Sequence, residues 1–250
     1  MMTNKMIKEI APAVFSKTHS SDMSDKYVFV PTFELLDMFQ EEGWNVSQVK
    51  QSGRNIHSTH EIRMRNGQMP KVGDSFFEAI IRNSHNGSLK FSISSGLFRL
   101  VCSNGLAVPT SISESFSVKH TNFNMGDVRE VTDNFAKKLP IIKESMEKMM
   151  NRELTTKEKI RLTKEAIKLR FNNPEMMTND TIESILTPNR IEDQGNNLWN
   201  VFNTIQEKLI RGGFIYSVNE KRPRTARPIN NIINSNKVNT ELWELAQSMC

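Results

Sequence analysis

The spacing of hydrophobic and polar positions changes twice along the chain, and each change predicts a different kind of element. Residues 27–31 form a short apolar run that predicts a strand, and residues 32–42 have the spacing of a helix. From about residue 60 the apolar positions recur with a period of two, which is typical of β-strands. After Gly126 the apolar positions return to helical spacing, so helices are predicted in the second half.

The middle of the chain predicts an antiparallel sheet with one apolar and one polar face. Alternation within β-strand spacing puts Ile62 and Met64 on one face. It puts three charged side chains on the other face, and these are Glu61, Arg63 and Arg65. The Asn86-Gly87 pair between two alternating runs predicts a hairpin, because both residues tolerate positive φ. The predicted strands are residues 27–30, 60–65, 76–82, 88–94, 97–102 and 111–118.

The second half of the chain has the apolar spacing of several helices. A long stripe covers about residues 127–152, and we expect Pro140 inside it to cause a kink. Thr155 and Glu158 have the spacing of a capping box, which opens the next helix. Further helices are predicted near residues 180–186, 198–209 and 242–249. The fold class that follows is α+β, with an antiparallel sheet in the N-terminal half packed against helices from the C-terminal half.

This pattern predicts a chain organised in three parts. Residues 1–24 are polar and irregular, so we expect a flexible N-terminal arm. Residues 25–211 are expected to form one α+β core domain. Residues 212–250 are basic and rich in Pro and Asn, and we expect a tail that ends in a short terminal helix.

Composition excludes several classes of protein. No apolar run approaches the roughly 18 residues of a membrane span, and the N-terminus lacks the layout of a secretory signal, so a cytoplasmic location is expected. The two cysteines, Cys102 and Cys250, are too few for a disulfide framework or a four-thiolate zinc site. No Walker A loop, dinucleotide fingerprint or nucleophile elbow is present, so we expect no enzyme activity and no cofactor.

The net charge of +5 is concentrated in one segment. Residues 43–126 hold nine Lys and Arg against four Asp and Glu, which accounts for the whole excess, and four of the five histidines. A positive field on one module favours an anionic partner such as nucleic acid, although it aids solubility equally well.

The histidines of this segment do not have the spacing of a metal site. His57 and His60 lie at the entrance of a predicted strand, where alternation puts their rings on opposite faces. No carboxylate pair stands nearby in a known ligand pattern. We therefore interpret these histidines as polar surface residues and expect no bound metal.

The cations of the predicted sheet favour contacts to phosphate. Basic side chains interleaved with Ser and Asn on one face suit phosphate contacts that carry no sequence information. A solvated sheet face is the alternative, and the pattern leaves both open. The candidate residues for nucleic-acid binding are Arg54, Arg63, Arg65, Arg82, Asn83, His85, Lys90 and Arg99. The aromatic residues that could stack on a base, each of which fits a core position better, are Tyr27, Trp44, Phe76, Phe98 and Trp199.

A second basic patch lies in the predicted tail. Four cations stand within seven residues, and prolines keep the segment extended. This pattern favours a clamp on a phosphate backbone over a solvated linker. The four cations are Lys221, Arg222, Arg224 and Arg227.

Four stretches of the chain form a recognisable set: Arg54, HEIRMR at residues 60–65, EAIIRNSHNG at residues 78–87 and GLFRLVCSNGL at residues 96–106. Together they resemble the family catalogued as domain of unknown function 932, and the last stretch is the most specific. The resemblance covers about residues 20–210. It implies a gene carried on phages, prophages and plasmids, and it brings no established enzymology.

Two hypotheses from different classes follow. A basic sheet with helices and no nucleotide motif is similar in general layout to the single-strand annealing recombinases of phages, which is an analogy at the level of the fold. The first hypothesis is therefore a non-enzymatic, homo-oligomeric protein of the bacterial cytoplasm that binds single-stranded DNA and promotes annealing in recombination or replication. The second is an anti-defence or host-interaction protein whose sheet face binds another protein. A nuclease is less favoured, because no metal-binding carboxylate cluster is evident.

Overall fold

A computed structural model of the chain describes residues 2–69, 71, 75–99, 104–107, 125–171, 178–217 and 222–250. The chain divides into two compact units, of which the first comprises residues 1–100 and 105–139 and the second residues 101–104 and 140–250. The first unit contains an antiparallel sheet and the second is mainly helical, which confirms the α+β class. The predicted single core domain of residues 25–211 spans parts of both units.

The first unit is built around a five-stranded sheet whose strand order is the chain order. The elements of this unit that precede and form the sheet are α1 (Asn4–Ile10), a 3₁₀ turn (Pro12–Phe15), α2 (Thr32–Glu41), β1 (Trp44–Gln51), β2 (His60–Asn66), β3 (Ser75–Asn83), β4 (Ser92–Arg99) and β5 (Asn104–Ala107). The pairs β1–β2, β2–β3 and β3–β4 are antiparallel, and the last two confirm the predicted antiparallel sheet.

Some predicted strands differ from the observed ones. The sequence pattern missed β1, because a bulge at Ser47 shifts its register against β2 and breaks the alternation. Residues 27–31 form no strand. In place of the runs predicted at 88–94 and 97–102 the described residues form the single strand β4, and residues 100–102 lie outside the described residues. The predicted strand at 111–118 lies outside the described residues.

The apolar face of the sheet packs against chain that precedes it. Ile62 and Met64 lie in this core, as the alternation predicts. Ile7, Ala11 and Val14 belong to the same buried cluster. The prediction of a flexible arm is therefore wrong for residues 4–15, because apolar positions three and four apart form a stripe that packs on the core.

Among its described residues, the second unit contains four α-helices, a 3₁₀ turn (Ile191–Asp193) and a short hairpin, preceded by a helix that crosses the boundary between the units. These elements are α3 (Met125–Asn151), α4 (Thr156–Arg170), α5 (Asn179–Leu186), α6 (Leu198–Arg211), β6 (Ile215–Tyr216), β7 (Arg224–Thr225) and α7 (Ile232–Gln247). The predicted capping box is confirmed, since Thr155 Oγ1 accepts from the Glu158 N–H and the Glu158 carboxylate accepts from the Thr155 N–H. Among the described helices, none is both long enough and apolar enough to cross a membrane.

The core of the second unit includes the C-terminal segment. Trp199 and Phe202 of α6 pack against Trp243 of α7, with ring centroids 5.8 to 6.2 Å apart. The prediction of a tail with only a short terminal helix is therefore wrong. The helix starts ten residues earlier than predicted, and Val238 and Leu242, one helical turn apart, are buried with Trp243.

Candidate nucleic-acid interface

The face of the sheet opposite the apolar core carries a network of ion pairs. Arg63 Nε lies 3.0 Å from Glu61 Oε1, and Arg63 Nη1 lies 3.1 Å from Glu78 Oε2. Arg65 Nε lies 2.8 Å from Glu78 Oε1, and Arg82 Nε lies 2.7 Å from Glu61 Oε2. We call these five residues the polar-face network. They share one face of β2 and β3, as the alternation predicts.

Burial removes two predicted phosphate ligands from the surface. Arg63 is 4% exposed and Arg82 is 5% exposed, so the expected outward cationic face is wrong for both. The physical reason is the register of β2 and β3, which places Glu61 opposite Arg82 and leaves Glu78 within reach of Arg63. Opposite charges on neighbouring strands then neutralise each other inside the sheet. The same burial removes these side chains from a surface for a protein partner.

The ionisation of this network follows from its pairing. Burial alone would raise the pKa of the Glu61 carboxyl, but the charges of Arg63 and Arg82 outweigh it and lower that pKa to about 2. Burial works to lower the pKa of Arg63, and the carboxylates of Glu61 and Glu78 overcome it and raise that pKa. Glu61 and Arg63 therefore stay charged across the ordinary pH range.

Asn83 and His85 are also buried, and their polar contacts go to other parts of the first unit. Asn83 Nδ2 donates to the Val30 carbonyl and to Thr32 Oγ1, both at 3.0 Å. His85 Nε2 lies 3.1 Å from the Ala13 carbonyl oxygen. The prediction of nucleic-acid contacts is wrong for both residues, because they are buried and their contacts go to the segments that lead into the sheet.

Two histidines lie together inside the first unit. The rings of His60 and His85 have centroids 5.1 Å apart, and His60 Nε2 lies 2.9 Å from Thr32 Oγ1. The interpretation of surface histidines is therefore wrong for this pair. Burial lowers the pKa of His60 to about 4, and burial followed by the charge of His60 lowers the pKa of His85 to about 4. Both rings are consequently neutral at pH 7.

The remaining candidates of the first unit are more accessible. Arg54 and Lys90 are exposed, each on a loop, and the two loops are joined where Thr59 Oγ1 lies 2.8 Å from Ser88 Oγ. The Arg65 side chain keeps 26% of its surface exposed. The side chain of Arg99 and the whole of Lys221 lie outside the described residues, so their predicted contacts stay predictions.

A groove of about 610 Å³ lies in the second unit, between the end of α4 and the β6–β7 hairpin. The rings of Phe171 and Tyr216 line it with centroids 5.9 Å apart, and both side chains are half-buried. Arg224 and Arg227 line the same groove and are exposed. With Arg170, which also lines it, these residues form what we call the basic aromatic groove.

Arg170 holds the walls of the groove together. Its Nη1 donates to the Leu209 carbonyl and its Nη2 to the Arg227 carbonyl. The guanidinium also lies 4.9 Å from the centroid of the Phe171 ring. Arg170 therefore joins the end of α4, the end of α6 and the basic segment, and its hydrogen bonds go to backbone carbonyls.

A glycine allows the basic segment to approach the end of α6. Gly212 has φ +76°, and a Cβ added there would lie 2.3 Å from the Ala226 carbonyl oxygen. The Gly213 N–H donates to that same carbonyl at 2.9 Å. Only a residue without a side chain fits this position. The basic segment predicted as an extended clamp is thus fixed beside the aromatic rings.

The cations of the basic segment have no carboxylate neighbour in the part of the chain that the structure describes. No Asp or Glu oxygen of those residues lies within 4.0 Å of Arg222, Arg224 or Arg227. Exposed guanidinium groups pair with phosphate oxygens, and half-exposed aromatic rings stack with unpaired bases. The arrangement therefore has the chemistry of a site for single-stranded nucleic acid.

Sequence reasoning missed the two aromatic residues of this groove. Of the five aromatic candidates, Trp44 and Trp199 are buried in the cores, which confirms the interpretation given for them. Phe171 and Tyr216 are far apart in sequence, and only the docking of the hairpin on the end of α4 joins them. The available signal was the apolar run Phe214 to Tyr216 shortly before a basic segment. Within the described ranges, no three His, Cys, Asp or Glu side chains are grouped so as to hold a metal ion.

These features define an α+β protein of two units with a basic aromatic groove in the helical one. The chain belongs to the family described as Domain of unknown function (DUF932), whose match covers residues 19–243. This confirms the resemblance seen in the sequence, while the phage or plasmid origin and the recombinase analogy stay predictions.

The chain is also similar to two proteins of Escherichia coli (strain K12). It is 31% identical to UPF0380 protein YafZ over 255 residues, which cover 99% of this chain and 91% of that protein. It is 31% identical to UPF0380 protein YfjQ over 255 residues, with the same shares of both chains. No solved structure matches the chain.

Proposed function

We propose that the protein binds single-stranded nucleic acid, without regard to base sequence, in the basic aromatic groove. The observation that carries this proposal is the juxtaposition of half-buried Phe171 and Tyr216 with exposed Arg224 and Arg227 in one groove. Single-stranded DNA is the proposed ligand, and annealing in recombination or replication is the proposed role. Binding of this kind needs no catalytic group, cofactor or metal.

The phosphates would be bound by the two groove arginines. Because Arg224 and Arg227 are exposed and lack carboxylate partners among the described residues, pairing with a phosphate costs them no existing ion pair. Each phosphate that is neutralised releases counterions, so the affinity falls as salt rises. Contacts of this type carry no sequence information.

The aromatic rings would select unpaired bases. A base can stack on the accessible face of Phe171 or Tyr216 only when it is not already stacked within a duplex. Every base has such a face, so this contact is tolerant of sequence. Single strands should therefore bind more tightly than duplex of the same sequence.

The size of the groove supports a homo-oligomer. A volume of about 610 Å³ is that of a small-molecule site and holds a short stretch of a strand. To hold a longer strand for annealing, several copies of the chain would have to line up along it. The proposed location is the cytoplasm, since bacterial DNA lies there.

The test measures the binding of a labelled oligothymidylate by fluorescence anisotropy over a range of salt concentrations. We expect the double variant Arg224→Gln/Arg227→Gln to bind more weakly. The slope of log affinity against log salt should fall by about 1.4, because each phosphate contact to a single strand contributes about 0.7. Added EDTA should change nothing.

The matched control is Arg161→Gln/Lys164→Gln, which removes two exposed cations from α4 of the same unit without touching the groove lining. It should bind with the affinity and salt slope of the unchanged protein. Equal losses in both double variants would show a general charge effect rather than a site. No binding by the unchanged protein at low salt would overturn the proposal and favour the hypothesis of a protein partner.

A further inference from the structure

Arg170 gives the basic aromatic groove a third positive charge, which is better shielded from water than the other two. The Arg170 side chain is half-buried, whereas Arg224 and Arg227 are exposed, and all three line the groove. None of the three pairs with a carboxylate among the residues that the structure describes. The groove therefore brings together three guanidinium charges that no described carboxylate neutralises.

The Arg170 guanidinium is held in place by its contacts. Its Nη1 and Nη2 donate to the carbonyls of Leu209 and Arg227, and the group lies 4.9 Å from the centroid of the Phe171 ring. A guanidinium carries five N–H groups, so donors remain for a ligand that enters the groove. Because the group is fixed before an anion binds, little side-chain entropy is lost on binding.

The charge of Arg170 is only partly compensated by the protein. Burial lowers the pKa of Arg170, and the smaller opposing effect of Tyr216 does not offset it. Carbonyl oxygens and an aromatic face stabilise a guanidinium less than an ionised partner does. A phosphate beside Arg170 would supply that ionised partner.

The hairpin places a stacking ring next to these cations. Tyr216 of β6 lies directly opposite Arg224 of β7, so the two side chains share one face of the hairpin. The ring of Tyr216 also neighbours that of Phe171, which Arg170 contacts. A base stacked on Tyr216 therefore lies near guanidinium groups that can bind the phosphate of the same nucleotide.

We propose, building on the function proposed above, that the groove prefers the terminal phosphate of a nucleotide, a phosphomonoester, over the phosphodiesters inside a strand. An internal phosphate carries a single negative charge, whereas a phosphomonoester carries about −1.5 to −2 at pH 7 and has three acceptor oxygens. Three guanidinium groups in one groove match the phosphomonoester better. A volume of about 610 Å³ is that of a small-molecule site, which suits a strand end or a free nucleotide.

The test compares internally labelled oligothymidylates of equal length that carry a phosphate at the 5′ end, at the 3′ end or at neither end. Fluorescence anisotropy at fixed salt measures their binding to the full chain. We expect a phosphate at one of the ends to raise the affinity about tenfold, because it adds a charge-assisted hydrogen bond. The gain should shrink between about pH 7.5 and about pH 5, since a phosphomonoester takes up its second proton near pH 6. A gain that persists in full at the lower pH would overturn the preference for the doubly charged group.

The variant Arg170→Gln removes the third charge and should bind phosphorylated and unphosphorylated strands with equal affinity. Circular dichroism verifies its fold, and the pH dependence in the unchanged protein decides if the variant does not fold. A folded Arg170→Gln protein that keeps the tenfold gain would overturn the proposal. The matched control is Arg161→Gln, which removes an exposed cation of the same helix and should keep the full gain.

Thymidine 5′- and 3′-monophosphates, titrated by calorimetry and by competition, identify the source of the phosphomonoester. A monophosphate that binds as tightly as the phosphorylated strand assigns the groove to free nucleotides, and one that binds more weakly assigns it to strand ends. Either result supports a phosphomonoester site.

The same titrations separate this proposal from the proposed function. Equal affinity for all three oligothymidylates would overturn the preference for a terminal phosphate and leave the binding of single strands standing. Binding of a monophosphate without binding of any strand would overturn the proposed function and support the phosphomonoester site. Failure of every ligand to bind at low salt would overturn both.

Discussion

The polar-face network and the basic aromatic groove both concentrate arginine, but they use its charge in opposite ways. In the network, Arg63 is 4% exposed and contacts two carboxylates. In the groove, Arg224 and Arg227 are exposed and have no carboxylate within reach among the described residues. The first set of charges stabilises a sheet, and the second is available to a ligand.

The comparison teaches that the number of cations in a segment says little about binding. A cation is available to a ligand only when the fold does not bring a carboxylate to it. Glu61 and Glu78 lie on strands next to the arginines of the sheet, whereas the hairpin of the second unit brings aromatic rings to its arginines. Residues 43–126 carry the whole excess of positive charge in the sequence, yet Arg63 and Arg82 of this segment are buried.

The largest expected effect comes from breaking the network. Glu78→Gln leaves Arg63 and Arg65 without their shared carboxylate, so we expect the free energy of unfolding to fall by about 3–5 kcal/mol. Urea denaturation measures it. Glu144→Gln removes an exposed carboxylate paired with Lys148 on α3 and should leave the free energy of unfolding nearly unchanged. Equal, small losses in both variants would mean that the buried pairs do not hold the sheet.

Acid should weaken the first unit through its two buried histidines. The pKa values of His60 and His85 are lowered to about 4 by burial, below the value of about 6.5 in the unfolded chain. The unfolded chain therefore takes up protons first, so this stability is fully present above about pH 6.5 and is lost as the pH falls toward 4. Each histidine should cost about 2–3 kcal/mol between about pH 7 and 4.5.

Denaturation at several pH values tests this assignment. Because the pKa of Glu61 is about 2, this carboxylate keeps its charge throughout this range. His60→Gln should flatten the pH dependence of the free energy of unfolding, while Glu144→Gln should leave its shape unchanged. A profile that keeps its full slope in His60→Gln would assign the acid sensitivity to other groups.

A smaller effect separates stacking from charge in the groove. Tyr216→Leu should weaken the binding of oligothymidylate by about 1–3 kcal/mol, because a base loses its stacking partner. Tyr216→Phe keeps the ring and should bind within about 0.5 kcal/mol of the unchanged protein. Anisotropy titrations measure both. If the two variants lose the same affinity, the hydroxyl rather than the ring makes the contact.

The smallest expected effect is that of the loop cation Arg54. Arg54→Gln changes an exposed side chain of the first unit, so stability should move by less than about 0.5 kcal/mol. The salt slope for oligothymidylate should also stay unchanged. A slope lower by about 0.7 would instead place a phosphate at this loop and extend the interface into the first unit.

Much of the fold was predictable because periodicity reports on burial. The alternation in β2 and the capping box at Thr155 follow from local sequence, and both are confirmed. The bulge at Ser47 hid β1, because one extra residue breaks the period of two. The packing of Ile7 on the sheet was missed, because a short helix carries too few apolar positions to stand out from polar surroundings.

The candidate site was less predictable, because it depends on contacts between distant parts of the chain. Alternation showed that Arg63 shares a face with Glu61, but it could not show that Glu78 of the next strand would neutralise it. The basic run ending at Arg227 was recognised from composition alone. Its aromatic partner Phe171 precedes it by more than fifty residues, and no local pattern connects the two.

The most direct test of the contrast between the two regions is to identify which residues touch the strand. Oligothymidylate is crosslinked to the full chain by ultraviolet light, and the modified peptides are sequenced by mass spectrometry. We predict crosslinks at Phe171 or Tyr216, absent from the Arg224→Gln/Arg227→Gln variant at moderate salt. Crosslinks confined to the polar side of the sheet, for example at Phe76 of β3, would contradict the assignment of binding to the groove.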